Sequence, residues 1–339
     1  MMDFTPAESQ QAVAALAAEV LAAPDPWKEL ARAGLLDASS LGLLDITVLL
    51  TEIGRRAPSM QAHATVMTGA LPLLRWGRRP DLVAAVASGE LLLTAAIREP
   101  SDPEPDPPAA TVADGTITGT KIGVPYAGQA SLILVPASAG VALVDPRAAG
   151  VTLTRTPSSS GQPEYTLRLD RTPVEEVLGG MDCLRDLHRL AVAGACALAD
   201  GAVAGALALT RDHVATRKQF GRPLAAFQAV SQQIADAYIA SRTLHLATRA
   251  ACWRLDAGPE PGPEMGTPSG PEMSTDLDVA GYWCAEQAPR SVRICHHLHG
   301  GLGMDATYPL PGFSSLVADL VRYLGGAEYR LERLACSST

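Results

Sequence analysis

A proline-rich segment separates two regions of the chain that have different residue patterns. Five prolines lie between Pro100 and Pro108, a density that no helix or inner strand tolerates, because proline fixes φ and lacks an amide donor. Before this segment, apolar residues recur at helical spacing, and after it short β-patterned runs alternate with turn residues. The segment therefore predicts an extended loop between a helical region and a β region.

The β-patterned region ends near residue 180, and helical periodicity then returns. Helices are predicted over residues 10–21, 41–55, 81–92, 186–217, 223–255, 276–297 and 314–335. Strands are predicted over residues 116–121, 131–135, 141–144, 151–154 and 165–169. Their spacing suits an antiparallel barrel or sandwich. We therefore predict a mostly α chain with a central antiparallel β domain (α–β–α) and a C-terminal four-helix bundle.

These patterns predict three domains: a short N-terminal helical domain over 1–92, a middle β domain over 93–180 and a C-terminal bundle over 181–339. Five Pro and four Gly within 258–274 predict a flexible linker inside the bundle. The stretch 190–209 is apolar except for one Asp and has the length of a membrane span. Because Ala and Gly dominate it, we favour a buried core helix whose glycines, Gly201 and Gly205, let neighbouring helices approach.

Charge and cysteine usage exclude several classes of protein. The net charge of −9 argues against a nucleic-acid partner, which would select a basic face. Only three of the 27 basic residues are Lys, so an anion site in this chain is expected to use Arg. The six cysteines have neither zinc nor redox spacing, which predicts reduced core thiols in a cytoplasmic protein and no metal site. The N-terminus lacks the pattern of a signal peptide.

Two segments have the residue types of a nucleotide site. The first, residues 217–228, reads Arg-Lys-Gln-Phe-Gly-Arg-Pro-Leu-Ala-Ala-Phe-Gln, and joins two predicted helices. Its Arg217 can make a bidentate contact with a phosphate, and Phe220 can stack on a flat ring. The alternative is an ordinary turn, since Gly ends helices and Pro opens them.

The second segment, residues 296–303, reads His-His-Leu-His-Gly-Gly-Leu-Gly. Glycines after a helix let backbone amides approach an anion, although a plain glycine cap is the alternative. Three histidines also suggest a metal, but adjacent His296 and His297 point away from each other on a helix, which is poor ligand geometry.

In this order, the two segments resemble the acyl-CoA dehydrogenase family. The likeness extends to the α–β–α order and covers nearly the whole chain. Residues 114–121 look like the family's Asp-Gly hairpin that ends in Lys, shortened by one residue, and Glu99-Pro100 matches a family Glu-Pro pair. The resemblance implies an FAD-dependent oxidation of an acyl-CoA thioester, with electrons leaving to an electron-transferring flavoprotein.

The resemblance also implies where the cofactor lies. In the family, FAD sits at a subunit interface, and the neighbouring subunit's C-terminal domain grips its adenosine and pyrophosphate. Carried over to this sequence, that half-site comprises Arg217, Phe220, Gln228, His297, Gly300 and Gly301. His297 occupies a position where many members have Gln.

The position of the family's catalytic base departs from the pattern. Counting from Tyr308-Pro309, the expected glutamate falls on Leu324, which cannot accept a proton. A second family position for the base falls on His188 by local match, for which a solvated histidine at a helix start is the alternative. Glu328 lies one helical turn beyond Leu324, although Glu332 one turn later favours a solvent-facing pair.

The flavin half of the pattern is altered as well. The family's Gly-Ser-Asp becomes the proline-rich run 101–108, and the strand that borders the flavin becomes Ile122-Gly123-Val124-Pro125-Tyr126, in which the proline removes a donor. Matches therefore cluster on the adenosine half and losses on the flavin and base half. We expect a base-lacking subunit that resembles those of heteromeric (α2β2) actinobacterial acyl-CoA dehydrogenases, several of which act on steroid side-chain thioesters.

Two alternatives remain open at this point. One is a homo-oligomeric enzyme with a displaced base, either His188 or Glu328. The other is a non-catalytic scaffold protein that keeps the fold without flavin. The expected partners are a homologous catalytic subunit, an acyl-CoA substrate and, through the complex, an electron-transferring flavoprotein.

Overall fold

The computed structural model describes residues 4–56, 59–77, 79–257 and 271–337. Contacts group it into an N-terminal unit, residues 9–49 and 59–194, and a C-terminal unit, residues 4–8, 50–56 and the described residues from 195 onward. A linker is predicted over 258–274. Its residues 258–270 lie outside the described residues, and a helix begins at Pro271.

Short helices form the first part of the chain. They are α1 (Glu8–Val20), α2 (Pro26–Arg32), α3 (Leu43–Arg56), a π-helix (His63–Ala70), α4 (Leu71–Trp76) and α5 (Pro80–Ala87). The first two predicted helices are confirmed as α1 and α3. The third is shorter than predicted, because Gly89, at φ +78°, ends it and the Glu90 amide donates to the Ala85 carbonyl, a glycine-terminated helix end.

The β region folds as two four-stranded sheets. The strands are β1 (Leu93–Ala95), β2 (Thr111–Ala113), β3 (Thr116–Pro125), β4 (Leu132–Ala137), β5 (Gly140–Val144), β6 (Val151–Thr156), β7 (Glu164–Pro173) and β8 (Glu176–Leu178). Their orders are β1-β4-β5-β8 and β2-β3-β7-β6. Ile117 and Leu167 of the second sheet share one buried cluster with Ile133 and Val144 of the first, so the sheets form a sandwich.

All five predicted strands are confirmed, and the short strands β1, β2 and β8 were not predicted. The prediction of antiparallel pairing holds except between β1 and β4, which run parallel, with Leu93 beside Leu132. A three-residue strand that follows a helical region has too short a pattern for its direction to be read from sequence.

Long helices dominate from residue 180 onward. They are α6 (Gly180–Thr216), α7 (Gln228–Ala257), α8 (Pro271–His299), α9 (Leu310–Tyr323) and α10 (Gly326–Ser337). The predicted single helix over 314–335 is wrong. It is broken into α9 and α10, because Gly325 and Gly326 take φ values of +83° and +87°, which residues in the interior of an α-helix do not adopt.

Helix α6 is long and apolar enough to cross a membrane, but 89% of its most apolar window is buried within the protein. Its glycines permit close approach by α3. A Cβ atom on Gly201 would lie 1.9 Å from the Thr51 carbonyl oxygen, and one on Gly205 would lie 2.5 Å from that of Arg55. The interpretation of this stretch as a buried core helix with close helical neighbours is therefore confirmed.

Candidate functional site

A tight β-hairpin connects α6 to α7. Its strands, β9 (Lys218–Gln219) and β10 (Arg222–Pro223), pair antiparallel, and Phe220 and Gly221 form the two-residue turn at φ +51° and +81°. Two positive φ values identify a type I′ turn. The predicted helix start at Pro223 is therefore wrong: a 3-10 turn follows the hairpin, and α7 begins at Gln228.

Phe220 at the tip of this hairpin is doubly unfavourable. A bulky residue at positive φ is strained, and its ring is 92% exposed to solvent. The ring lies edge-on to that of Phe227, with centroids 6.2 Å apart, while the Arg222 guanidinium lies 4.0 Å over the Phe227 ring. Strained, exposed groups of this kind cluster at binding sites, so the hairpin tip is a candidate contact surface.

The glycine-rich segment follows the end of α8. Gly300 takes φ +59°, and residues Gly300–Met304 form a 3-10 turn. A Cβ atom placed on Gly300 or Gly301 meets nothing within 4 Å, so the backbone there is open on its outer side. Glycine is the residue type that leaves such a surface free for a ligand to approach the amides.

A stacked pair of histidines brings the two segments together. His213, in the last turn of α6, stacks on His299, in the last turn of α8, with ring centroids 4.4 Å apart and planes 21° from parallel. The amide of Arg217 donates to the His213 carbonyl, and Gly300 directly follows His299. The Arg217 and Gly300–Gly301 segments are therefore neighbours on the surface of the C-terminal unit.

All six residues predicted to bind the adenosine half of a dinucleotide are solvent-exposed. They are Arg217, Phe220, Gln228, His297, Gly300 and Gly301. Gln228 is the first residue of α7, directly after Phe227 of the hairpin cluster. Exposure of a set that combines a guanidinium, an aromatic ring and free amides makes this surface able to bind a phosphate and a flat base.

The three histidines of the second segment face different partners. His296 contacts the Ser314 hydroxyl, and His299 donates from Nδ1 to the Cys295 carbonyl at 2.8 Å. His297 is exposed. The three imidazoles therefore make separate packing and surface contacts.

The position expected for a catalytic base is buried and aliphatic. Leu324 is 0% exposed at the end of α9, and its carbonyl accepts a hydrogen bond of 2.8 Å from Arg330 Nε. Arg330 is itself buried and pairs with Asp278 at 3.1 Å. The turn between α9 and α10 is thus fixed by a buried guanidinium that faces backbone and carboxylate oxygens.

The two substitute bases lie in different surroundings. His188 is only 7% exposed and lies within α6, two turns after its start, so the alternative of a solvated histidine at a helix start is wrong. Glu328 is exposed in the first turn of α10, and Glu332, one turn later, is exposed as well.

The chain is similar to a known family model and to a curated protein. The family model "Acyl-CoA dehydrogenase, C-terminal domain" matches residues 185–334. The curated protein "Acyl-CoA dehydrogenase FadE28" of Mycobacterium tuberculosis is 43% identical over 100% of both chains. The chain belongs to the acyl-CoA dehydrogenase family. The family implies an oxidoreductase that acts on CH–CH bonds and binds FAD.

Two solved structures are similar over nearly the whole chain. One chain of the ChsE4–ChsE5 complex of Mycobacterium tuberculosis aligns with a TM-score of 0.89 at 26% identity, covering 99% of each chain. A chain of the Tcur3481–Tcur3483 steroid enzyme, a G363A variant, aligns at 0.87 and 28%, covering 98% of each. The predicted α–β–α acyl-CoA dehydrogenase fold is therefore confirmed.

Sequence reasoning missed several features of this candidate site. His213 was not singled out, although it lies four residues before Arg217 and hence on the same helix face. The stacking partner of His299 is not readable from sequence, because it comes from a helix more than 80 residues earlier. The hairpin at Phe220–Gly221 offers only its glycine as a signal, because type I′ turns prefer Asn, Asp or Gly before that glycine.

Proposed function

We propose that this chain is the non-catalytic subunit of a heteromeric, FAD-dependent acyl-CoA dehydrogenase. In this proposal it donates the adenosine and diphosphate half of an FAD site to a homologous catalytic subunit, which supplies the glutamate base. The substrate is an acyl-CoA thioester, with a steroid side-chain thioester as the candidate. Electrons leave the complex to an electron-transferring flavoprotein, and the complex works in the cytoplasm.

The observation that carries the proposal is Leu324. Abstraction of the α-proton of a thioester needs a group that accepts a proton within hydrogen-bond reach. A leucine cannot do so, and the buried guanidinium of Arg330 already donates hydrogen bonds to the Leu324 carbonyl and to Asp278. With His188 buried in α6 and Glu328 exposed on α10, a base supplied by another chain is the simplest source.

The residues of the adenosine half fit the cofactor. Arg217 offers a planar set of donors suited to a diphosphate, and the open backbone at Gly300 and Gly301 leaves room for phosphate oxygens near the amides. Phe220 presents a ring with nearly its whole area in solvent for an adenine to cover. When bound, FAD supplies the acceptor for the β-hydride of the substrate. Because these donors lie on an exposed surface, they suit a cofactor whose other half rests on a second chain.

The β domain of this chain supports the same division of labour. In the segment that corresponds to the family's flavin-bordering strand, Tyr126 takes φ +55° and its ring is buried. Its hydroxyl accepts from Ser59 at 3.1 Å and donates to Gln162 at 2.5 Å. These contacts occupy the end of β3 with the chain's own side chains.

The relatives supply the substrate and assembly parts of the proposal. The similar solved structures are a two-protein complex, ChsE4–ChsE5, and a two-protein steroid acyl-CoA dehydrogenase, Tcur3481–Tcur3483. Each pairs two different chains, and the second name states a steroid substrate. Transfer of these properties to this chain rests on the likeness at 26% and 28% identity together with the lost base position.

The test is co-expression with a homologous chain that has glutamate at the position of Leu324. We expect the co-purified complex to contain FAD and to oxidise an acyl-CoA, and the chain alone to do neither. Arg217→Ala in the complex should weaken FAD binding by about 10- to 150-fold, as expected for a lost charge-assisted contact of about 1.5–3 kcal/mol. Arg211→Ala is the matched control, because exposed Arg211 pairs with its neighbour Asp212 and is not one of the six predicted cofactor-binding residues.

The same experiment separates the alternatives. An isolated chain that is folded, yellow and active contradicts the proposal and points to a displaced base, for which His188→Ala and Glu328→Gln are the deciding variants. An active complex whose FAD content ignores Arg217→Ala indicates a scaffold. Loss of FAD in Arg217→Ala but not in Arg211→Ala supports the shared site.

A further inference from the structure

A pair of stacked imidazoles lies between the two segments of the proposed diphosphate site. The His213 and His299 rings are 4.4 Å apart in a near-parallel stack. The carbonyl of Cys295 can only accept, so His299 Nδ1 carries the proton of their 2.8 Å hydrogen bond. His299 Nε2 lies 3.2 Å from the Tyr308 hydroxyl, which can donate or accept. Two partners thus hold the His299 ring in place.

His213 has a different environment from its stacking partner. It is half-buried in the last turn of α6, and in the described part of the chain its ring nitrogens make no hydrogen bond. Burial lowers the pKa of His213, and His299 and Arg217 lower it further. The ring is therefore kept neutral at neutral pH in the free protein, with a nitrogen available to take a proton.

The charges around His213 come from three elements. On α6, exposed Asp212 pairs with Arg211. Arg217 follows the end of α6, four residues after His213. On α8, His299 stacks against it, and the pKa of His296 is lowered by burial. After α8, Tyr308 contacts His299, and the pKa of the Asp305 carboxyl is lowered by the Thr307 amide and hydroxyl that it accepts from.

The backbone dipoles at this place are wrong for an anion. Both α6 and α8 end here, and the C-terminal end of a helix carries the equivalent of about half a negative charge. Two such ends beside the Arg217 and Gly300 segments repel a diphosphate, so cationic side chains must offset them. The same helix ends stabilise a protonated histidine in the last turn.

We propose that His213 is a conditional cation of the diphosphate site, which takes one proton from solvent when the diphosphate of a dinucleotide binds beside Arg217. The inference rests on the proposed function and deepens it. Binding brings negative charge next to the stacked pair, which favours the protonated ring. The stacked His299 ring supplies a polarisable face for the imidazolium. Affinity for the dinucleotide therefore falls as the pH rises and the bound-state His213 loses its proton.

The test measures FAD binding to the co-purified complex between about pH 5.5 and about pH 8.5, the window in which histidine titrates. The diphosphate bridge of FAD has no proton that titrates there, so the slope reports protein groups. We expect wild-type affinity to fall by up to about tenfold per pH unit over part of this window, since one proton is linked to binding. Calorimetry in two buffers of different ionisation enthalpy should show uptake of up to about one proton.

Two opposite variants distinguish this role from packing. His213→Phe keeps a ring against His299 but never carries charge, so we expect weak binding at low pH with the slope abolished. His213→Lys is always charged, so we expect tight binding at high pH, also without the slope. His297→Gln is the control, because His297 is exposed at the same site, and it should retain the slope.

The outcomes separate the inference from the proposed function. If His213→Phe keeps the wild-type slope, or if His297→Gln alone removes it, the inference is overturned. If both His213 variants weaken binding equally at every pH, His213 has a packing role only and the inference also fails. If Arg217→Ala leaves FAD binding unchanged, it is the proposed function that fails.

Discussion

Lys121 donates a hydrogen bond of 2.8 Å to Glu99, with the two side chains 0% and 5% exposed. The same carboxylate accepts from the amides of Ala109 and Ala110 at 2.8 and 3.1 Å. Burial raises the pKa of Glu99, but the Lys121 contact and the two amides lower it more, so the net shift is downward. One carboxylate therefore closes both ends of the proline-rich loop, and the two family motifs that contain Glu99 and Lys121 are physically one contact.

Removing Lys121 should leave the Glu99 carboxylate buried without its cationic partner. We expect Lys121→Met to lower the free energy of unfolding by about 3–5 kcal/mol, because breaking a buried pair leaves an uncompensated charge. Adding Glu99→Gln should recover part of the loss, since a neutral amide oxygen still accepts from the loop amides. Denaturant unfolding of both variants measures this. A double variant no more stable than Lys121→Met would contradict the account.

The turn residue Phe220 should be replaceable for stability but not for binding. Asn tolerates the left-handed conformation that Phe220 adopts at φ +51°. We expect Phe220→Asn to raise the free energy of unfolding by about 0.5–1 kcal/mol, while FAD affinity of the complex falls. Thermal unfolding and FAD titration of the same preparation give both quantities.

A second hairpin provides the matched control. Asp114 and Gly115 form a two-residue turn at φ +49° and +70° between β2 and β3, with the residue types that such a turn prefers. Asp114→Phe should recreate the strain of Phe220 and destabilise the protein by about 1 kcal/mol, without a change in FAD affinity. If Asp114→Phe were neutral, positive φ would not account for the gain in Phe220→Asn.

The two hairpins also explain how far sequence reasoning reached. The Asp114-Gly115 turn was predicted, because its residues match the turn type. The Phe220-Gly221 turn was not, because phenylalanine is not a residue type that such a turn prefers. The long helices α6, α7 and α8 were predicted from periodicity, which a long segment expresses many times over.

The rest of the site depends on contacts between distant segments. The apolar pattern continues through 314–335, so it predicts one helix, and only the adjacent Gly325 and Gly326 signal the break. Likewise, His213 and His299 each look ordinary in sequence, and their stack exists only because α6 and α8 end side by side. Pairings of this kind are decided by tertiary packing, which a single sequence does not encode locally.

A carboxylate should not be recoverable at Leu324 by a single substitution. The side chain is fully buried, and Arg330 is already engaged by the Leu324 carbonyl and Asp278. We expect Leu324→Glu to destabilise the C-terminal unit by several kcal/mol, as an unpaired buried charge does, and to create no acyl-CoA oxidation in the isolated chain. Leu324→Met, which conserves volume, should cost less than about 1.5 kcal/mol. A stable and active Leu324→Glu protein would show that the position opens into a working site.

The crossing of α3 and α6 should tolerate no side chain at Gly201. A methyl group there would lie 1.9 Å from the Thr51 carbonyl oxygen, and one on Gly54 of the opposite helix would lie 2.2 Å from the Leu198 carbonyl oxygen. Backbone atoms of two long helices cannot yield as a flexible side chain does, so we expect Gly201→Ala to lower the free energy of unfolding by about 3 kcal/mol. Gly42→Ala is the control, since its Cβ would meet Asp45 at an ordinary 3.6 Å. Equal stabilities of the two variants, measured by denaturant unfolding, would mean that the helices separate without cost and that the glycines of α6 do not set its packing distance.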